Sequence, residues 1–304
     1  MVYNPIKPRC LGVSSLKNIE VKPLIDYIDW KFFFRVWRLI GDYSFLNTNN
    51  KDQWLKRFSV SERERAGQVF DLWNDAQQLL RDFIDKKRIQ INAVVGLFDA
   101  MSDGECIIVK KDNKKIQLPM FRQQNADERE FCLSLADFIA GSDDYIGTFA
   151  VAVHLEQATT IDDEYFSLLQ MSLMDRLVEA TAEWLHEQIR TEYWGFASNE
   201  SLSVEDMKRS CFQGIRPAIG YPSLPDQSLI FEMEKLLPLQ DVGIVLTENG
   251  AMKPSSSVCG FVFAHPQARY FRIGRISQSQ FLEYANRRGI PCEKLEKFIG
   301  LEIV

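Results

Sequence analysis

One stretch gathers residue types able to grip an anion: Gln213-Gly214-Ile215-Arg216-Pro217-Ala218-Ile219-Gly220-Tyr221-Pro222. Prolines fix φ, and glycines let the backbone come close to another group. A loop stiffened in this way can hold the Arg216 guanidinium where a ligand carboxylate docks in bidentate fashion. Taken alone, its composition favours a structural turn with a surface arginine. A second constellation is Asp175, Glu179, Ala182 and His186, spaced i, i+4, i+7 and i+11, which a helix places on one face. Two carboxylates four residues apart can hold a cation, accept a hydrogen bond from an imidazole, or bind a metal with His186. The alternative is a solvated helix face. Ala264-His265-Pro266 precedes Arg269-Tyr270-Phe271, where a strand would turn Tyr270 and Phe271 to opposite faces. One ring could stack on an adenine while the other enters the core; sheet packing is the other reading and suits Phe271. Asp29, in Tyr27-Ile28-Asp29-Trp30, is either the cap of an aromatic helix or a carboxylate for a ligand ammonium or sulfonium.

Regular elements must carry these groups. Residues 1–22, with Pro5 and Pro8, read as an extended arm, and 29–38 as a short helix with Trp30, Phe33, Phe34 and Trp37 at helical spacing. Residues 47–58 read as a polar loop. A helix is predicted over 61–87, opened by a Ser61-x-x-Glu64 capping box and repeating Val69, Trp73, Ala76, Leu80 and Phe83. Strands are predicted over 91–98, 105–109 and 114–118, the last two as a hairpin, and a short helix over 134–139. Residues 145–153 are β-rich and apolar, as befits a central strand. The longest helix spans 162–194, burying Phe166, Leu169, Leu173, Leu177, Thr181 and Trp184, with Gly195 at its cap. Short helices follow over 203–210 and 229–237, then strands over 243–247, 257–264 and 269–274, and helices over 277–288 and 291–299. Without a strict βαβ alternation the pattern is α+β with a mainly antiparallel sheet. No G-x-G-x-x-G follows a strand and no G-x-x-x-x-G-K-[ST] occurs, which disfavours a Rossmann or P-loop site.

The 304 residues are 46% apolar and 26% charged, with net charge −6. Such a chain can bury a sizeable core. Its acidity disfavours nucleic acid and anionic membranes as partners. No apolar run approaches the roughly 18 residues that span a bilayer, and the N-terminus lacks a secretory signal. The cysteines Cys10, Cys106, Cys132, Cys211, Cys259 and Cys292 form no C-x-x-C pair, so structural zinc is not expected. Scattered thiols without an export signal point to the cytoplasm.

From about residue 25 to 300 the sequence resembles the activation domain of cobalamin-dependent methionine synthase. The resemblance is carried in order by Ile28-Asp29-Trp30 with its Phe run, Val95-Gly96-Leu97-Phe98, Leu135-Ala136-Asp137-Phe138 and Asp144-Tyr145-Ile146-Gly147. Asp175-Arg176-Leu177 with Glu179-Ala180, Trp194-Gly195-Phe196-Ala197, the stretch 213–222, Leu246-Thr247-Glu248, Ala251-Met252, His265-Pro266 and Tyr284-Ala285 with Arg288-Gly289 continue it.

That resemblance implies a C-shaped α+β domain over 23–304, a twisted antiparallel sheet with flanking helices, behind an N-terminal arm of 1–22. It implies S-adenosylmethionine as methyl donor, bound in a shallow groove on the sheet. Arg216 falls on the ligand-carboxylate arginine. Ala218, Gly220, Tyr221, Tyr270 and Phe271 fall on or within segments lining the site, with Glu179 beside them, and Asp29 on the carboxylate that meets the ligand's amino-acid portion. Asp175 and Glu179 fall on the helix facing the cobalamin-binding domain, where they can engage its displaced cobalt-ligating histidine. The implied role is repair of oxidised cobalamin, with one electron from a flavodoxin-like donor and a methyl group from S-adenosylmethionine. A sulfonium needs positioning more than acid–base help, so no catalytic residue of its own and no metal ligand is expected, and the module is a methyltransferase component that does not turn over alone. Ser210 stands where the family commonly has Glu, Gln227 where it has His, Lys253 where it has Trp, and Lys31-Phe32 where it has Thr-Pro. Nothing resembles the cobalamin-binding motif, so the cofactor would sit on a partner domain or protein; the start at Met1 favours a separate polypeptide. A non-catalytic S-adenosylmethionine sensor or cobalamin-protein interaction module, and a carboxylate metalloprotein built on Asp175, Glu179 and His186, are the competing readings.

Overall fold

The computed structural model describes residues 3–41, 43, 50–124, 132–156 and 163–304. In chain order the elements are β1 (Gly12–Leu16), α1 (Trp30–Val36), α2 (Lys51–Leu55), α3 (Arg63–Asp85), β2 (Ile89–Asp103), β3 (Cys106–Lys111), β4 (Lys114–Pro119) and β5 (Asp144–Leu155). They continue with α4 (Glu164–Gln188), α5 (Val204–Lys208), α6 (Ile230–Leu236), β6 (Val245–Leu246), β7 (Met252–Lys253), β8 (Ser257–Val262), α7 (Gln278–Arg288) and α8 (Cys292–Leu295).

The main sheet runs β4-β3-β2-β5-β8, and every pairing in it is antiparallel. The fold is α+β with an open antiparallel sheet, as the sequence implies. The long strand β2 gives one edge to β5 and divides the other, pairing β1 over 93–97 and β3 over 99–103. Within the expected arm, Gly12–Leu16 form β1, locked into the sheet by its register with β2.

Period-two alternation sends the strand side chains into two cores. Ala93, Val95 and Leu97 of β2 and Phe149, Val151 and Val153 of β5 pack with α3 and α4. Val94, Phe98, Ala150 and Ala152 face the opposite layer, which holds α6 and the 3-10 turn Leu239–Val242. Both faces are covered, which is why these strands read as near-continuous apolar runs instead of alternating ones. A third, smaller cluster joins α7 and α8 to Phe121.

Several expected elements differ. Residues 51–55, expected as loop, form α2, opened by Asn50 accepting the Gln53 N–H and anchored by buried Trp54, whose indole donates to the Ala66 carbonyl. Residues 47–49 of that expected loop lie outside the described residues. The Ser61–Glu64 capping box is not formed; Ser59 donates to Glu62 instead, and α3 begins two residues later than expected. Phe166 is 43% exposed although it shares the α4 face of Leu169 and Leu173; it sits in the first turn of the helix, where the buried stripe has not yet begun. Residues 269–274 join no ladder; Ile273 N–H donates to the Pro222 carbonyl and the segment is irregular.

Candidate functional site

The stretch 213–222 lies along the free edge of β8. Ile215 and Phe263 exchange backbone hydrogen bonds, Phe261 N–H donates to the Pro217 carbonyl, and Ile219 N–H donates to the Cys259 carbonyl. Pro217 accepts from Phe261 and has no N–H to return, so the pairing lacks one bond there. Its close approach depends on Gly260, where a Cβ would stand 2.2 Å from the Pro217 oxygen. Gly220, at φ +88°, turns the chain back so that its N–H meets the Leu224 carbonyl.

Helix α4 runs beside this edge and presents four carboxylates at successive i+4 positions. Asp175 accepts from Ser256 Oγ at 2.7 Å, Glu179 from the Tyr221 hydroxyl at 3.0 Å, Glu183 from Arg216 Nη2 at 2.8 Å, and Glu187 from the Tyr27 hydroxyl. Each rung ties a different segment to the helix. The sequence pattern singles out the first two and then follows the face to Ala182 and His186, passing over Glu183. Continuing the spacing of four would have found it.

Between helix and loop opens a cavity of about 450 Å³, lined by Glu179, Arg216, Pro217, Ala218, Tyr221, Pro222, Ser223, Tyr270, Phe271 and Arg272. The expected residues Glu179, Arg216, Ala218, Tyr221, Tyr270 and Phe271 therefore meet at one place. Gly220 shapes the turn without lining the wall. Asp29 is outside the lining: it caps α1, accepting the Phe32 N–H at 3.0 Å. Ser210 is exposed just after α5, at φ +56°, and is also outside it. Tyr270 and Phe271 do not face opposite ways across a strand, because no strand forms there; both line the cavity, and Phe271 also packs edge-on against Phe138.

The Arg216 side chain is only 11% exposed, with Cζ 5.7 Å from the Phe149 ring. Burial opposes its charge, but Tyr270, Glu183 and Glu179 more than offset that and hold its pKa above the ordinary arginine value. Its backbone N–H donates to the Tyr270 hydroxyl at 2.9 Å. Nε is buried without a hydrogen-bond partner, and Nη1 has none among the described residues. Burial, and then Glu179, push the Tyr221 phenol up to about 12, so it remains a hydrogen-bond donor at neutral pH. The wall thus combines a held cation, aromatic faces and a carboxylate, which suits a zwitterionic ligand with an apolar ring.

The metal reading fails on geometry. Asp175 and His186 are eleven residues apart, about 16 Å along a helix axis, too far to share one ion. His186 is fully buried and faces Phe212. Among the described residues no cluster of His, Cys, Asp and Glu could hold a metal, and no helix is long and apolar enough to cross a membrane.

Comparison with known proteins agrees with the geometry. The family model for the vitamin B12 dependent methionine synthase activation domain matches residues 20–289. A solved structure described as the MetH reactivation domain bound to AdoHcy is similar at a TM-score of 0.86 and 35% identity, over 97% of this chain and 91% of that one. That family is one domain of a cobalamin-dependent methyltransferase. This chain belongs to the family of vitamin B12-dependent methionine synthase activation domains.

Proposed function

We propose that the cavity beside Arg216 binds S-adenosylmethionine and presents its methyl group to cobalamin carried by a partner domain or protein, supporting reductive reactivation of methionine synthase. The observation that carries this reading is the Arg216 guanidinium, buried at the cavity wall with Nε and Nη1 unengaged, next to two aromatic rings. The ligand carboxylate is assigned to Arg216, the adenosine to the surface formed by Tyr270, Phe271 and Ala218, and the cationic sulfonium end to the side of Glu179. A cavity of about 450 Å³ is of ordinary size for a ligand of this class. Likeness to a domain that binds AdoHcy supports the same ligand chemistry here.

Cobalamin, when its own domain delivers it, supplies the cobalt centre that receives the methyl group. This chain's residues have the tasks of binding and aiming. Arg216 fixes one end of the methyl donor, and Glu179, held by Tyr221, fixes the direction in which the sulfonium faces outward. Asp175, exposed and held by Ser256, extends the same helix face as an acidic surface suited to a partner's imidazole. A flavodoxin-like donor would supply the electron, and the cytoplasm is the compartment in which such a donor and free thiols coexist.

Calorimetric titration with S-adenosylmethionine tests the reading. Arg216→Ala should weaken binding about 100-fold, the usual scale for losing one partner of a buried charged contact. Unchanged affinity in that variant would sink the assigned site.

A further inference from the structure

Among the four rungs on α4, one holds a buried cation. We propose that Glu183 is a positioning residue: it clamps the inner edge of the Arg216 guanidinium so that the outer edge, bearing Nη1, faces the cavity and receives the ligand carboxylate. This rests on the reading that the cavity takes S-adenosylmethionine.

The contact from Arg216 Nη2 to Glu183 Oε2 is 2.8 Å, with the side chains 11% and 22% exposed. The other members of the same pair, Arg216 Nε and Glu183 Oε1, are both buried and both lack a hydrogen-bond partner. Nε–H and one Nη2–H point from the same side of a guanidinium, so Glu183 stands at the side-on edge and a small turn of its carboxylate completes the fork. The end-on edge remains for another carboxylate. Phe149 lies 5.7 Å from Cζ, and Tyr270 fixes the backbone N–H of the same residue. Glu183 therefore supplies the restraint that the ring and the backbone contact do not: the rotation of the guanidinium.

Without that clamp, a long side chain with four torsions is free to turn toward water or toward Glu179. A ligand then has to order it on binding. Losing the carboxylate also removes a competitor for the cation, but attraction without aim does not restore the fixed donor edge.

The test is calorimetric titration of the wild type, Glu183→Ala and Glu183→Gln with two ligands: S-adenosylmethionine, and its decarboxylated form, which keeps the adenosine, sulfonium and ammonium. Glu183→Ala should bind S-adenosylmethionine about tenfold more weakly, the scale of re-ordering one arginine side chain. Glu183→Gln, which keeps an acceptor, should lose less, and the decarboxylated ligand should bind all three proteins alike. In an Arg216→Ala background, Glu183→Ala should add no further loss, since its effect passes through that arginine. Unchanged or tighter binding of S-adenosylmethionine in Glu183→Ala overturns the proposal, as does an equal loss for both ligands, which would mark general damage to the cavity. If Glu183→Ala does not fold, the glutamine variant carries the same comparison. A wild type that binds neither ligand overturns the cavity reading and this proposal together; a wild type that binds, sensitive to Arg216 and indifferent to Glu183, overturns this proposal alone.

Discussion

Arg288 on α7 and Arg216 beside the cavity are both buried and both paired with a carboxylate, yet their surroundings differ in one respect. Arg288 is saturated: Nε donates to Asp226, Nη2 to Ser228 Oγ, and Nη1 lies 3.3 Å from Glu232. Asp226 in turn accepts from the Tyr284 hydroxyl at 2.7 Å and from the Ser228 N–H at 2.8 Å. Around Arg216, by contrast, bonding capacity is left over. Its own Nε, Glu183 Oε1, both nitrogens of His186 and Nη1 of Arg190 are buried without hydrogen-bond partners. Buried polar groups are costly unless satisfied, and complete networks fix one packing. Charge and burial alone do not distinguish these two regions; saturation does. The Arg288 network holds the C-terminal helices in place, and the Arg216 cluster has capacity for something else.

The strongest way to break this contrast is to desaturate the complete network. Asp226 and Arg288 are 1% and 3% exposed. Asp226→Ala strips the cation of one of its two carboxylates and the Tyr284 hydroxyl of its acceptor. The expected loss is about 3–5 kcal/mol of unfolding free energy, measured by urea denaturation. A loss below about 1 kcal/mol would mean that saturation is no guide to what holds this fold together.

The unsaturated cluster should be the pH-sensitive one. Burial, and then the Arg190 and Arg216 charges, hold the His186 imidazole well below its ordinary pKa. Folded protein therefore keeps His186 neutral, while the unfolded chain takes up a proton below about 6.5. The unfolded state binds more protons in that window, so this contribution is present in full above pH 6.5 and is lost as pH falls toward the depressed folded pKa. The slope from this one group is at most about 1.4 kcal/mol per pH unit. Denaturation of the wild type and His186→Leu between pH 7.5 and 5 should show the wild type losing more stability of the two on acidification. Parallel curves would place the compensating interaction elsewhere.

How much of this was readable beforehand follows from what each feature depends on. The strands β2 and β5 announce themselves as apolar runs, because both of their faces meet a core, and the helices α3, α4 and α7 by period, because one face of each does. Helix α2 does not: five residues carry too little periodicity, and its existence rests on the Asn50 cap and on Trp54 reaching Ala66. The over-read strand at 269–274 has β-like composition, but no strand edge comes alongside to pair it. At the site, Arg216 and Tyr221 are legible through the glycines and prolines around them. Glu183 is legible as a position on the i+4 series of Asp175 and Glu179, but its pairing with a residue 33 positions away is not, and Gly260 is hidden because its missing side chain matters only once the loop lies over it.

Asp29 sits between the two kinds of region, and the smallest predicted effect concerns it. One carboxylate oxygen takes the Phe32 N–H and so belongs to the scaffold; the other has no partner among the described residues. Asparagine caps a helix about as well as aspartate does, whereas alanine does not. Asp29→Asn should therefore keep stability within about 0.5 kcal/mol of the wild type, and Asp29→Ala should lose about 1 kcal/mol. If the free oxygen also serves the ammonium end of S-adenosylmethionine, the asparagine variant should bind that ligand about threefold more weakly at low salt, with the difference shrinking as salt screens the exposed charge. Equal affinity of Asp29→Asn and wild type at every salt concentration would assign Asp29 to α1 alone. The ligand's amino-acid end would then be left to Arg216 and the carboxylates of α4.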